Sequence, residues 1–214
     1  MFTGIIQANA LVKRADISGG SMRLVVECSL PALARTQLGD SVALNGLCLT
    51  VVQKSPQMPF ELHFDVSEES LARSMFGALR PGMNVHVERA MELGDPLGGH
   101  VVSGHVDALG TVTAARASGE YFFVEVEVAG EARDRVAPFL VEKGSIGIDG
   151  VSLTVNSVTD EKSRTLFSVL LIPHSLEKTH LGKLQAGDRV NLEADMLAKY
   201  VARSSAYARL EKTP

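Results

Sequence analysis

Tryptophan is missing from the 214-residue chain, and aromatics together make up only 5% of it. A bound ring system would therefore be held mainly by aliphatic and small polar groups. Only two cysteines occur, Cys28 and Cys48. Two thiols make no disulfide framework and suit a reducing cytoplasm. Cations are not in excess: 21 Lys and Arg stand against 25 Asp and Glu, a net charge of -4. That leaves no basic footprint for a phosphate backbone, so nucleic acid is not an expected partner. No apolar run approaches the ~20 residues of a membrane-spanning helix, and no membrane partner is expected. The opening "MFTGIIQANA" lacks the basic start, apolar run and cleavage signature of a signal peptide. We expect a soluble, cytoplasmic protein. Walker, GxSxG and GxGxxG signatures are missing as well. The six histidines show no zinc-type spacing with each other or with the cysteines, so no metal is expected.

What the chain does contain is a repeat. "SVALNGLCLTV" at 41–51 returns as "SIGIDGVSLTV" at 145–155, with Cys48 in one copy and Ser152 in the other. "MFTGIIQ" at 1–7 aligns with "VVSGHVD" at 101–107, and 70–91 aligns with 175–196. The offset grows from 100 to 104 to 105, which is too long for a solenoid and means two tandem domains of one fold. The Gly-rich "ELGDPLGGH" at 92–100 is the seam, giving units of 1–97 and 98–196 and a tail of 197–214.

Stretches such as "MRLVVECSL", "FELHFDVS", "NVHVERAM", "EYFFVEVEVAG", "TLFSVLLIP" and "RVNLEADM" are short, alternate, and favour β-branched or aromatic residues. "SLARSMFGAL" and "SLEKTHLGKL" each predict one short helix. The class is all-β: two tandem Greek-key barrels of six strands each. Leu197, Tyr200 and Val201 follow helical spacing, so a C-terminal helix is expected outside the repeat. It either packs on its own chain or forms an oligomer contact.

Asn45-Gly46 and Asp149-Gly150 are tight-turn signals, each followed by a strand. Alternation sends Leu47, Leu49 and Val51 to one face, with Val151, Leu153 and Val155 in the second copy. Cys48 and Thr50 face the other way, as do Ser152 and Thr154. One such face alone is most simply a solvated strand. Small hydrogen-bonding residues at it twice, with no Lys or Glu between, favour the lining of a polar pocket. The loop "SGHVD" adds His105, where the first copy has Ile5. The two sites should therefore bind alike but not react alike.

"MFTGII", "NGLCLTV", "GGHVVSGHVD", "GIDGVSLTV" and "LIPHSLEKTHLG" together resemble riboflavin synthase of the α-chain type, built from two lumazine-binding barrels. The resemblance runs from residue 1 to about 196. It implies a transferase that dismutates two molecules of 6,7-dimethyl-8-ribityllumazine by moving a four-carbon unit. The products would be riboflavin and 5-amino-6-(D-ribitylamino)uracil, with no cofactor. It implies a homotrimer held by the C-terminal helices, with substrates stacked between barrels of neighbouring chains. An association with the separate lumazine synthase is left open.

Residue by residue, the resemblance assigns Gly4, Ile5, Ile6, Cys48, Leu49, Thr50, Asp65, Val66, Ser67, Glu68, Glu69 and Ser70 to a first site. It assigns Gly104, His105, Val106, Lys143, Ser152, Leu153, Thr154, Ile172, Pro173, His174, Ser175 and Leu176 to a second, with Asp195 nearby. His105 is the leading proton shuttle, since an imidazole titrates near neutrality. Ser152 and Thr154 would position a water or hydroxyl. Cys48 would do the same in its own site or simply pack there. Two rivals stand beside this reading: a non-catalytic, antenna-type protein that holds lumazine or flavin, and a barrel that binds proteins only.

Overall fold

The computed structural model describes residues 1–210. The last four residues of the expected 197–214 tail lie outside the described residues.

The first barrel is built from β1 (Ala8–Ser18), β2 (Ser21–Cys28), β3 (Ser41–Leu44), β4 (Leu47–Lys54), β5 (Phe60–Val66) and β6 (Asn84–Arg89). Its strands close in the order β1-β2-β5-β4-β3-β6. The second uses β7 (Ala108–Ser118), β8 (Tyr121–Ala129), β9 (Ser145–Ile148), β10 (Val151–Asp160), β11 (Arg164–Leu171) and β12 (Arg189–Ala194), in the same circuit. The strand pairings are antiparallel in both barrels. Bulges fall at matching places: after Val12 and Val112, and after Val51 and Val155. A bulge tightens local twist and turns a strand, which closing so small a ring requires. Of the four bulged strands, β1 and β7 are the two that the sequence did not reveal.

The two predicted helices are not single. The first copy has α1 (Glu68–Arg73), then an extended Ser74, then a 3-10 turn at Met75–Ala78. Ser74 accepts from the Phe76 N–H, which starts a new turn rather than continuing the old one. The second repeat adds α2 (Glu131–Val136), unannounced in the sequence, and then α3 (Pro173–Lys178), followed by a 3-10 turn at Leu181–Lys183. The tail is α4 (Met196–Leu210). Asp195 caps it, accepting the Leu197 N–H at 2.9 Å. The helix packs on the turn at Ala137–Phe139, yet Leu197, Tyr200, Val201 and Tyr207 form an exposed apolar stripe.

Each barrel has its own core, but the cores exchange one residue. Ile6, from the N-terminal segment, packs in the second core; Val106, its counterpart, packs in the first. A polar clamp joins the barrels at their turns. Asn191 donates from Nδ2 to the Asn45 carbonyl at 2.8 Å, and His86 places Nδ1 2.8 Å from the Asp149 carbonyl. His86 Nε2 accepts the His180 N–H at 3.0 Å, so Nδ1 carries the proton. Both turns need glycine here: a Cβ on Gly46 would lie 2.7 Å from the Gly150 nitrogen, and the reverse contact is 2.6 Å.

Candidate functional site

The glycine-to-glycine contact brings the starts of β4 and β10 together, and with them Cys48 and Ser152. Two loops then cross. The Gly4 carbonyl accepts the Ser152 N–H at 2.8 Å, and the Gly104 carbonyl accepts the Cys48 N–H at 2.8 Å. Phe2 and Val102 pair with each other between the loops. Each loop is therefore sealed onto the repeated strand of the other half. The expected grouping is corrected by this exchange. Gly4, Ile5 and Ile6 lie beside Ser152–Thr154, and Gly104, His105 and Val106 lie beside Cys48–Thr50.

Two buried carboxylates hold the loops. Glu88 accepts the Thr3 N–H and hydroxyl, both at 2.7 Å, and the Gly4 N–H at 3.0 Å. Glu193 accepts the Ser103 N–H at 2.6 Å, its hydroxyl at 2.7 Å, and the Gly104 N–H at 3.0 Å. Burial pushes both carboxyl pKa values up, and the loop donors pull them part of the way back.

Alternation along β4 and β10 is as expected. Cys48 and Ser152 are half-buried, and Thr50 and Thr154 are exposed. Leu49 and Leu153 turn into the cores, so only their backbone can face a ligand. The same holds for Val66, Ile6 and Val106, whose side chains are core. A pocket of about 310 Å³ opens between the halves, lined by Leu47, Glu69, Ser70, Arg73, His105, Val106 and Asp107. It joins the α1 region to the His105 loop, as the crossed grouping requires. Ser67 caps α1 by accepting the Ser70 N–H, and Asp65, Ser67, Glu68 and Glu69 are exposed, with Glu69 alone of these four lining the pocket.

In the second repeat Ile172, Pro173 and His174 are exposed at the start of α3, while Ser175 and Leu176 are half-buried. Lys143 is exposed and left-handed, with φ 65°, and its N–H bonds the Val155 carbonyl beside Thr154. Asp195 is foremost a helix cap. Its charge also reaches His100, where it opposes the lowering of the imidazole pKa by burial.

His100 belongs to the "GGHVVSGHVD" motif, yet residue types alone give it no role there. In the structure its Nδ1 lies 2.7 Å from Ser152 Oγ, and its Nε2 is buried without a partner among the described residues. A Cβ on the preceding Gly99 would lie 2.2 Å from the Thr3 carbonyl oxygen and 2.7 Å from Ser152 Cβ. The glycines of "GGH" are thus what lets the seam lie flat on Ser152, and they are the signal available in the sequence. Glu88 and Glu193 carry a weaker one, as identical residues in the two copies.

Among the described residues no helix is long and apolar enough to cross a membrane.

The family described as "Lumazine binding domain" matches residues 3–90 and 103–195. A riboflavin synthase of Mycobacterium tuberculosis is 45% identical over 203 residues, 95% of this chain and 97% of its own. That of Brucella abortus is 38% identical over 211 residues, covering 98% and 100%. That of Bacillus subtilis is 34% identical over 213 residues, covering 100% and 94%. Among solved structures, LumP complexed with 6,7-dimethyl-8-(1'-D-ribityl) lumazine superposes with a TM-score of 0.77 at 24% identity, over 91% of this chain and 99% of that one. LumP complexed with riboflavin gives 0.77 at 25%, with the same coverage. Two matched domains and relatives aligned along nearly their whole length make this duplicated, crossed-loop chain a transferase and a member of the riboflavin synthase family.

Proposed function

We propose that the protein dismutates two molecules of 6,7-dimethyl-8-ribityllumazine, moving a four-carbon unit from one to the other. The products are riboflavin and 5-amino-6-(D-ribitylamino)uracil. Two substrate molecules hold the carbon skeletons of both products, so the reaction needs no outside oxidant or reductant. The observation that carries this reading is the pairing of near-equal sites that differ where chemistry would choose between them. One offers Cys48 with His105 on the crossing loop; the other offers Ser152 with His100 behind it and Ile5 on the crossing loop.

One lumazine would lie against Cys48, Thr50, Glu69, Ser70 and His105, and the other against Gly4, Ile5, Ser152, Thr154 and Ser175. Backbone groups of the crossing loops would bind ring edges, and the rim hydroxyls the ribityl chain. The acidic 7-methyl group of the substrate must lose a proton, and His105 is the group to take it. Fixed donors would stabilise the anion that results. Holding two rings in register is worth roughly 7–11 kcal/mol in favourable cases. The exposed stripe of α4 supports a homotrimer in which a barrel of one copy covers the open site of another. The two unpaired thiols, Cys28 and Cys48, support a cytoplasmic setting.

The test is to mix the purified protein with 6,7-dimethyl-8-ribityllumazine alone, in a chelator, and follow riboflavin. One riboflavin per two lumazines, over many turnovers, is the expected result. Tight binding without riboflavin would move the protein to the non-catalytic, ligand-holding reading.

A further inference from the structure

The loop that carries His105 is tied down at both ends. Glu193 holds Ser103 and Gly104, as described. Two residues past His105, Asp107 accepts the Ala194 N–H at 2.8 Å and pairs with Lys199 Nζ at 2.7 Å on the same oxygen. The second Asp107 oxygen also meets Lys199, at 2.8 Å. Lys199 stands on α4, in the first turn after the Asp195 cap. Its charge lowers the Glu193 pKa as well, against the larger effect of burial. One ammonium therefore bears on both anchors of the loop.

The first repeat has only half of this arrangement. There Gln7 replaces Asp107, and its Oε1 accepts the Arg89 N–H at 3.0 Å. An amide carries no charge to hold a lysine. The loop with the histidine thus has a tie that the loop with Ile5 lacks. Both Lys199 and Asp107 side chains are only 20% exposed, so the pair is partly shielded from water. Exposed ion pairs contribute little, whereas a partly buried pair with further hydrogen bonds can hold geometry.

We propose that Lys199 is a positioning residue for His105, acting through Asp107. The C-terminal helix then has a task inside its own chain besides any contact it makes with another copy. This inference rests on the reading of His105 as the proton-transfer group. An error of a few tenths of an ångström in a general base is costly, because proton transfer needs hydrogen-bond reach.

The test uses the full-length protein with Lys199→Met, Lys199→Arg, Asp107→Asn and the Met/Asn pair. Turnover of 6,7-dimethyl-8-ribityllumazine, oligomeric state and the His105 ring resonance, from histidine labelled at Cε1, are read on each. Lys199→Met should lower kcat about tenfold with KM and oligomeric state unchanged, and should shift the His105 resonance. Lys199→Arg should restore most of the rate, and the double variant should be no worse than either single one. Wild-type turnover in Lys199→Met, or an unmoved His105 resonance, would overturn the proposal. So would additive losses in the double variant. If the wild type makes no riboflavin, the functional reading fails separately, and the resonance still decides whether Lys199 places His105.

Discussion

Ser103 gives both its backbone N–H and its hydroxyl to one oxygen of Glu193, at 2.6 and 2.7 Å. Gly104 fills the other oxygen. Three donors to one buried carboxylate leave no room for an amide, which would bring an NH2 where an acceptor is needed. Glu193→Gln should therefore lose about 1–3 kcal/mol of stability, the usual cost of a buried donor left unpaired. Because this loop lies on Cys48, turnover should fall too, though Glu193 belongs to the other barrel. Thermal unfolding and steady-state rates measure both. A variant as stable and as fast as wild type would mean that the carboxylate is dispensable.

Much of this was legible in the sequence, and the reasons are specific. Asn45-Gly46 and Asp149-Gly150 each demand positive φ, observed as 42° and 77°, then 46° and 80°. Alternation then fixes which way Cys48 and Ser152 point. The exchange of loops was not legible, because Ile6 and Val106 are simply apolar residues with equal claims on either core. Nor was the break at Ser74, where a side-chain cap starts a new turn inside a helical pattern. The partnership of His100 with Ser152 spans 52 residues, and only the tightness required at Gly99 points to it.

His105 lies in the pocket with Glu69 and Ser70 and is exposed to a ligand there. His105→Gln keeps a polar side chain of similar reach but removes the titrating group. Turnover should drop by roughly 10²–10⁴-fold, the usual contribution of a placed acid or base. Ligand affinity, read with riboflavin as a non-reacting probe, should change far less. Equal losses in both would make His105 a binding residue.

Asp149 is buried at the inter-barrel clamp, and burial raises its pKa from 3.8 to about 7, with the Asn191 N–H opposing. Folded protein therefore holds a proton between these values that unfolded chain does not. Its contribution is fully present below about pH 4 and is lost as pH rises through about 7. His180, with Nε2 4.0 Å from Asp149 Oδ2, is pushed down to about 4, and His86 to about 3, so both are neutral at the upper end of that window. Glu88 and Glu193, also raised by burial, add a slope of the same sign. Asp149→Asn isolates the one group. Asparagine fits, since Asn45 makes the matching bond to the His86 N–H at 2.7 Å. The variant should gain up to ~4 kcal/mol over wild type at pH 8 and none near pH 4. Denaturant midpoints across pH check it, and parallel curves for the two proteins would count against it.

The last expectation concerns α4. Both barrels close without it, and their cores contain none of its described side chains. Removing 197–214 should therefore leave a folded chain with nearly native strand content. The apolar stripe of Leu197, Tyr200, Val201 and Tyr207 would be gone, and with it the contact proposed to hold three copies together. Lys199 would be gone too, freeing Asp107 beside the His105 loop. The truncated protein should be monomeric and nearly inactive, by light scattering and riboflavin formation. Lys199→Met separates the two causes, because it removes the tie and keeps the stripe. A truncated chain that stays trimeric and active would rule out both tasks for the helix. One that is monomeric yet active would keep the assembly role and discard the active-site one.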